Sequence, residues 1–165
     1  MKASPLVFVF CLASTPAWAA VPTPADFGKL FCEASLADDM SIIEDKLTPG
    51  LGLVVAEAVA KNTQAEVSFP DEKPPLGDGL PWRSYQDFAD GCELGEILKG
   101  KTDDQTLVEI RYSFKDYPDA NYTDRLVLVP SITEPGSWEL DDIKLVDDGT
   151  MRSYLAEAFQ PAPTN

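Results

Sequence analysis

Between residues 64 and 81 the chain carries Pro70, Pro74, Pro75 and Pro81, with Gly77 and Gly79, around the charged run Asp71-Glu72-Lys73. Proline fixes φ and removes a backbone donor, and a charged run keeps a segment solvated, so this stretch reads as a long surface excursion, a lid in its functional form. It also separates two halves with different hydrophobic periods. That separation limits the fold more than any other feature.

Before the break the period is helical. Phe27, Leu30, Phe31 and Ala34 fall at i, i+3, i+4 and i+7. Met40, Ile43 and Leu47 repeat the spacing, Ser41 and Glu44 offer a capping box, and Pro49 stops that helix. Leu51, Val54, Val55, Ala58 and Val59 then form a stripe to about Asn62, with Glu57 and Lys61 four apart on the other side.

After Asp90-Gly91 the period becomes two. Residues 93–99 predict a strand and 100–104 a turn. Residues 106–114 alternate clearly, with Val108, Ile110, Tyr112 and Phe114 on one face. Residues 115–121 read as a loop, 125–129 as a strand, and Thr133-Glu134-Pro135-Gly136 as a turn. Trp138 and Leu140 face together, but Ile143 and Leu145 continue on the opposite parity. Either Asp141-Asp142 holds a bulge or both faces are buried. Asp147-Asp148-Gly149 turns the chain into a last helix bearing Met151, Leu155, Ala158 and Phe159, which Pro161 and Pro163 end. Helices followed by hairpin-linked strands predict an α+β domain: N-terminal helices on a curved antiparallel sheet of three to four strands, with a closing C-terminal helix.

The first residues read as an address. Lys2 precedes an all-apolar run over residues 6–13, then Pro16 and the small-residue site Ala17-Trp18-Ala19. A charged start, a short apolar run and an A-x-A end predict a signal peptide over residues 1–19, too short to span a bilayer. The expectation is therefore a single domain over 20–165, in the periplasm or secreted. Phe10 before Cys11 does not fit a lipidation site, so no lipid anchor is expected. Without Lys2 the chain has 12 Lys/Arg against 28 Asp/Glu, a net charge of −16. Nucleic acids and anionic lipids are bound with Lys and Arg, so this balance argues against both and permits a basic partner.

Two cysteines remain, Cys32 and Cys92. In an oxidising compartment they suggest one disulfide; the alternative is two free thiols buried as small apolar residues.

Trp138-Glu-Leu-Asp-Asp-Ile-Lys-Leu, followed by Asp148-Gly149-Thr150 and a helix, looks like a W-x-I-D-D-I strand. With Leu47-Thr48-Pro49 and the paired strands at 106–114 and 125–129, it resembles the nuclear-transport-factor-2-like superfamily of cystatin-like cones. Within that superfamily the chain most resembles small secreted bacterial proteins grouped as a domain of unknown function. The resemblance implies a sheet curled around a cavity, used by different members for isomerisation, dehydration, scaffolding or protein binding. The Pro-rich insertion at 64–81 departs from the commoner cones, and fold alone carries no function.

Chemistry is narrowed by the absence of histidine, which removes Ser-His-Asp triads, Cys-His dyads and His-ligated zinc. No phosphate-binding glycine loop is present, and no cofactor or metal is expected. Asp116, Asp119, Asn121 and Asp124 lack calcium-loop spacing and read as a solvated turn. A carboxylate-based isomerase or lyase would draw on Asp141 or Asp142, and the resemblance, whose isomerases pair their acid with an oxyanion donor such as Tyr, implies Tyr112 for that role, against the plainer reading of strand bulge and core tyrosine. Trp82, Tyr112 and Trp138 are the candidate pocket or partner contacts. The expected function is a non-catalytic binding or interaction module for a small apolar ligand or a basic protein; an immunity or inhibitor protein is one version. The alternatives are that isomerase or lyase and a structural envelope protein without ligand.

Overall fold

The computed structural model describes residues 22–160 apart from Asp78. The signal-peptide reading of residues 1–19 and the closing prolines Pro161 and Pro163 lie outside the described residues.

Helix α1 (Pro24–Ala37) begins with Thr23, whose hydroxyl accepts from the Asp26 N–H while the Asp26 carboxylate accepts from the Thr23 N–H. This reciprocal cap, with Pro24 in the first turn, fixes where the helix starts. Helix α2 (Ser41–Glu44) is a single turn, and the expected Ser41–Glu44 capping box does not form. Met40 stands at its N-cap and the Ser41 N–H goes to the Asp39 carboxylate instead. Helix α3 (Pro49–Ser68) starts at Thr48, whose hydroxyl accepts from the Leu51 N–H. Pro49 is therefore the first residue of a helix rather than only the end of one, and the helix runs six residues past Asn62. The Pro-rich excursion begins at Phe69, not at residue 64.

Four strands follow, β1 (Gly91–Lys99), β2 (Thr106–Ser113), β3 (Tyr122–Pro130) and β4 (Trp138–Lys144), and helix α4 (Met151–Glu157) closes the chain. The strands pair antiparallel in the order β1-β2-β3-β4. The architecture is α+β, as the two periods imply.

The parity flip in β4 is a bulge. Leu140 pairs with Leu128 and Asp142 with Val127, so Asp141 is the extra residue. The flip keeps Leu140 and Ile143 both fully buried.

The helices cover one face of the sheet. Phe31, Ile43 and Leu51 from the helices meet Ile110, Leu126 and Leu140 from the strands, all at most 1% exposed. At Gly28 α1 lies close against the sheet: a Cβ there would stand 2.5 Å from Leu94 and 2.9 Å from Val108. A cluster of buried side chains, Phe27, Phe31, Leu51, Val108, Ile110 and Leu126 among them, lies between the helices and the sheet, where the cone resemblance implies a cavity. The β4 edge is covered by residues 46–48, where Leu140 donates to the Lys46 carbonyl and accepts from the Thr48 N–H.

Cys32 on α1 and Cys92 on β1 form a disulfide with a Cα–Cα distance of 5.4 Å. It ties the first helix to the outermost strand. Among the described residues no helix is long and apolar enough to cross a membrane.

Candidate functional site

The two candidate carboxylates hold helices in place. Asp141 accepts from the Thr48 hydroxyl at 3.0 Å and from the Arg152 guanidinium at 2.8 Å, joining the start of α3 to α4. Asp142 accepts from the Ile143 N–H at 2.9 Å and from the Arg152 N–H at 3.2 Å, in the first turn of α4. Tyr112 is not beside them. It pairs with Tyr122 on β3, whereas Asp142 pairs with Val127, five positions along the same strand. At about 3.3 Å per residue the separation is ~16 Å, too far for an acid and an oxyanion donor to share one substrate atom.

Trp82 and Trp138 are both half-buried and stand in separate grooves. Trp82 shares one with Met40, Glu44 and Leu80, and Trp138 another with Phe27, Leu30 and Lys46. The three aromatic candidates are not brought together. Trp82 packs against the main core, which accounts for it as the residue that seats the end of the excursion.

Tyr112 is 2% exposed, with its hydroxyl 3.1 Å from the Ser35 hydroxyl and its ring stacked 4.7 Å from that of Tyr122. Burial pushes its phenol up to about 12, with the Ser35 bond opposing. The folded value thus lies above the unfolded value of 10.0, so the stability this phenol contributes is complete below pH 10 and is lost as pH rises toward 12. Replacing Tyr112 by phenylalanine is expected to cost about 1 kcal/mol at neutral pH, for one buried hydrogen bond. The same variant should lose less stability than the parent between pH 10 and 12; urea unfolding at the two ends of that window measures it.

A carboxylate that the sequence reading placed in a solvated turn, Asp124, is 1% exposed on β3. Both its oxygens are taken by Ser84, one by the backbone N–H at 2.9 Å and the other by the hydroxyl. The Ser84 hydroxyl oxygen in turn accepts from the Val146 N–H at 2.9 Å. One residue earlier, Arg83 donates to the Ser35 carbonyl at 2.9 Å and pairs with Asp38 at 3.3 Å. Farther back, the Leu76 N–H donates to the Asn62 side chain at 2.9 Å. The excursion is thus stapled to α3, to the end of α1 and to β3. Asp124 is the nearest thing here to a buried catalytic acid, but its two oxygens face Ser84 and leave no approach for a substrate. The signal that could have found it is period two: Tyr122, Asp124, Leu126 and Leu128 share the inward parity.

The stapled segment forms one wall of an open cleft of about 620 Å³. Tyr85 and Phe88 stand on that wall; Phe114 directly follows β2, Tyr117 stands in the following turn and Tyr122 starts β3. Tyr85 meets Tyr122 edge to face at 5.0 Å, and Phe114 lies 6.2 Å from Tyr122. The opposite wall is shaped by Asn121, whose side-chain oxygen accepts from the Phe114 N–H at 2.8 Å, and by a 3-10 turn at Pro118–Ala120. The Asp90 carboxylate accepts from the Lys115 N–H at 2.8 Å and joins the two walls at their base. Asp87, Asp90, Asp116 and Asp119, with Ala120 and Val146, complete the lining, which contains no Lys or Arg. An aromatic surface ringed by carboxylates can hold an apolar group or a cation.

No protein-family model, no curated protein and no solved structure matches the chain.

Proposed function

We propose that the chain is an exported, non-catalytic interaction module whose binding site is the aromatic and acidic cleft between residues 85–90 and 114–122. The observation that carries this reading is the exposure of Tyr117 (73%) and Phe88 (67%) at the mouth of a cleft shaped by hydrogen-bonded walls. Large aromatics left in water on a fixed scaffold are what partner-binding surfaces display. The paired cysteines and the acidic balance are compatible with life outside the cytosol, where a signal over residues 1–19 would send the chain. Membership of the nuclear-transport-factor-2-like superfamily is part of the same proposal, supported by the order of helices, antiparallel sheet and closing helix.

The test is ring-proton NMR of the folded protein titrated with indole, a neutral apolar probe, and separately with a tetra-arginine peptide. The reading expects at least one of them to shift the Tyr85, Tyr117 and Tyr122 rings while the core ring of Phe31 stays still. A second reading, a structural protein without ligand, is favoured by the hydrophobic cluster buried between the helices and the sheet. It predicts that neither probe moves any cleft resonance at millimolar concentration.

A further inference from the structure

Resting on the module reading, we infer that the cleft docks a basic segment of a partner protein, and that an arginine side chain entering between Tyr85 and Phe88 on one wall and Tyr117 on the other is the group it reads. Three observations lead there. The first is charge complementarity: the carboxylates of Asp87, Asp116 and Asp119 line the cleft with no Lys or Arg among them, on a chain with 28 acidic against 13 basic residues. Such a field draws cations in and turns anions away.

The second is shape. Pockets for small molecules bury most of their ligand's surface, but here Tyr85, Phe88 and Tyr117 are 51%, 67% and 73% exposed. An open cleft with exposed rings suits a side chain delivered on a protein surface, where the rest of the partner supplies the cover. The third is a contact inside the molecule. The Arg83 guanidinium lies 5.6 Å from the centre of the Phe88 ring, so this ring already accepts one planar cation. A guanidinium also matches neighbouring carboxylates with a fork of donors, which an ammonium lacks.

The discriminating measurement uses two peptides of the same length, one containing arginines and one in which each arginine is replaced by citrulline. Citrulline keeps the planar shape and removes the charge. Isothermal titration with the full purified protein should give an arginine-peptide affinity that weakens steeply between about 50 and about 200 mM salt and a citrulline peptide at least about tenfold weaker. Tyr117→Ala and Phe88→Ala should each weaken arginine-peptide binding by about tenfold, the size of a partly desolvated cation–π contact. Both side chains are mostly exposed, so these variants keep the core intact, and unchanged urea midpoints check that they do. Asp116→Asn with Asp119→Asn should weaken binding and flatten its salt dependence. Equal binding of the two peptides overturns the arginine inference. So does arginine binding that is indifferent to Tyr117→Ala and Phe88→Ala, which would be diffuse attraction to an acidic protein. If indole shifts the cleft rings and the arginine peptide binds nowhere, the module reading stands and this inference falls; if no probe binds, both fall.

Discussion

A chain with Cys32 and Cys92 both replaced by alanine should unfold with about 4 kcal/mol less stability than the parent, the largest effect expected of any change considered. The bond closes a loop of 60 residues, and the chain-entropy relation for that length gives the figure. For a domain of this size such a loss lowers Tm by roughly 10–15 °C. The loop contains α2, α3 and the whole proline-rich excursion, so its unfolded ensemble is large. In the folded state the bond joins α1 to β1, which lies at the open edge of the sheet and pairs with β2 alone. The loss should therefore concentrate there. Hydrogen exchange of the β1 amides is expected to speed up more than that of β3, and urea unfolding should show the full deficit only against an oxidised parent. A parent whose midpoint is unmoved by a reducing agent, with both thiols then shown free to alkylate, would contradict this account.

The same bond illustrates what a sequence can and cannot disclose. Among the described residues two cysteines name each other as partners, but not the geometry, which depends on α1 lying against β1. Alternation at Val108, Ile110 and Tyr112 was legible because all three point into one core, and each is at most 2% exposed. The parity flip in β4 is legible because Leu140 and Ile143 are both apolar and three apart, but that spacing leaves a bulge and two buried faces both open, and it is the register with β3 that makes Asp141 the surplus residue. Where burial is not periodic, the reading failed. The end of α3 carries Val67 at 80% exposure and no stripe, so its last turns left no amphipathic trace and were counted with the proline-rich loop. Helix α2 shows the converse. Met40, Ile43 and Leu47 have helical spacing, yet Leu47 leaves the helix to bridge Leu140 at the sheet edge.

The candidate site was less legible than the fold, for a physical reason. Asp141 and Asp142 stand out by what lies beside them in sequence and Tyr112 by what the family resemblance implies, whereas the cleft is assembled by two segments about 25 residues apart that meet through hydrogen bonds to Asp124 and Asp90. Side chains that position a loop are polar and locally look like turn residues. Only the inward parity of Asp124 distinguishes it from Asp116 and Asp119, which meet solvent.

Asp124→Ala is the variant in which fold and site should fail together. It leaves the Ser84 N–H and hydroxyl without their acceptor, and the expected loss is about 3 kcal/mol at acidic pH. The pH dependence follows from burial, which raises the Asp124 carboxyl above 3.8 despite the opposing Ser84 bonds, with the charge of Asp147 adding to the rise. A folded value above the unfolded one means that this group's contribution is complete below pH 3.8 and is lost as pH rises through the folded value. The deficit of Asp124→Ala relative to the parent should therefore be larger at pH 3.5 than at pH 7, and a difference that grows toward neutrality would reverse the assignment. Ser84→Ala removes the hydroxyl half of the staple, and because both changes break one network, the double variant should cost less than the two single losses together. Strict additivity would mean that Ser84 and Asp124 do not act as a unit. The wall that carries Tyr85 and Phe88 hangs from this staple, so Asp124→Ala should also weaken the arginine peptide although Asp124 itself is out of its reach. Tyr117→Ala, on the other wall, should weaken binding with no change in stability. That contrast separates a residue that builds the cleft from one that touches what enters it.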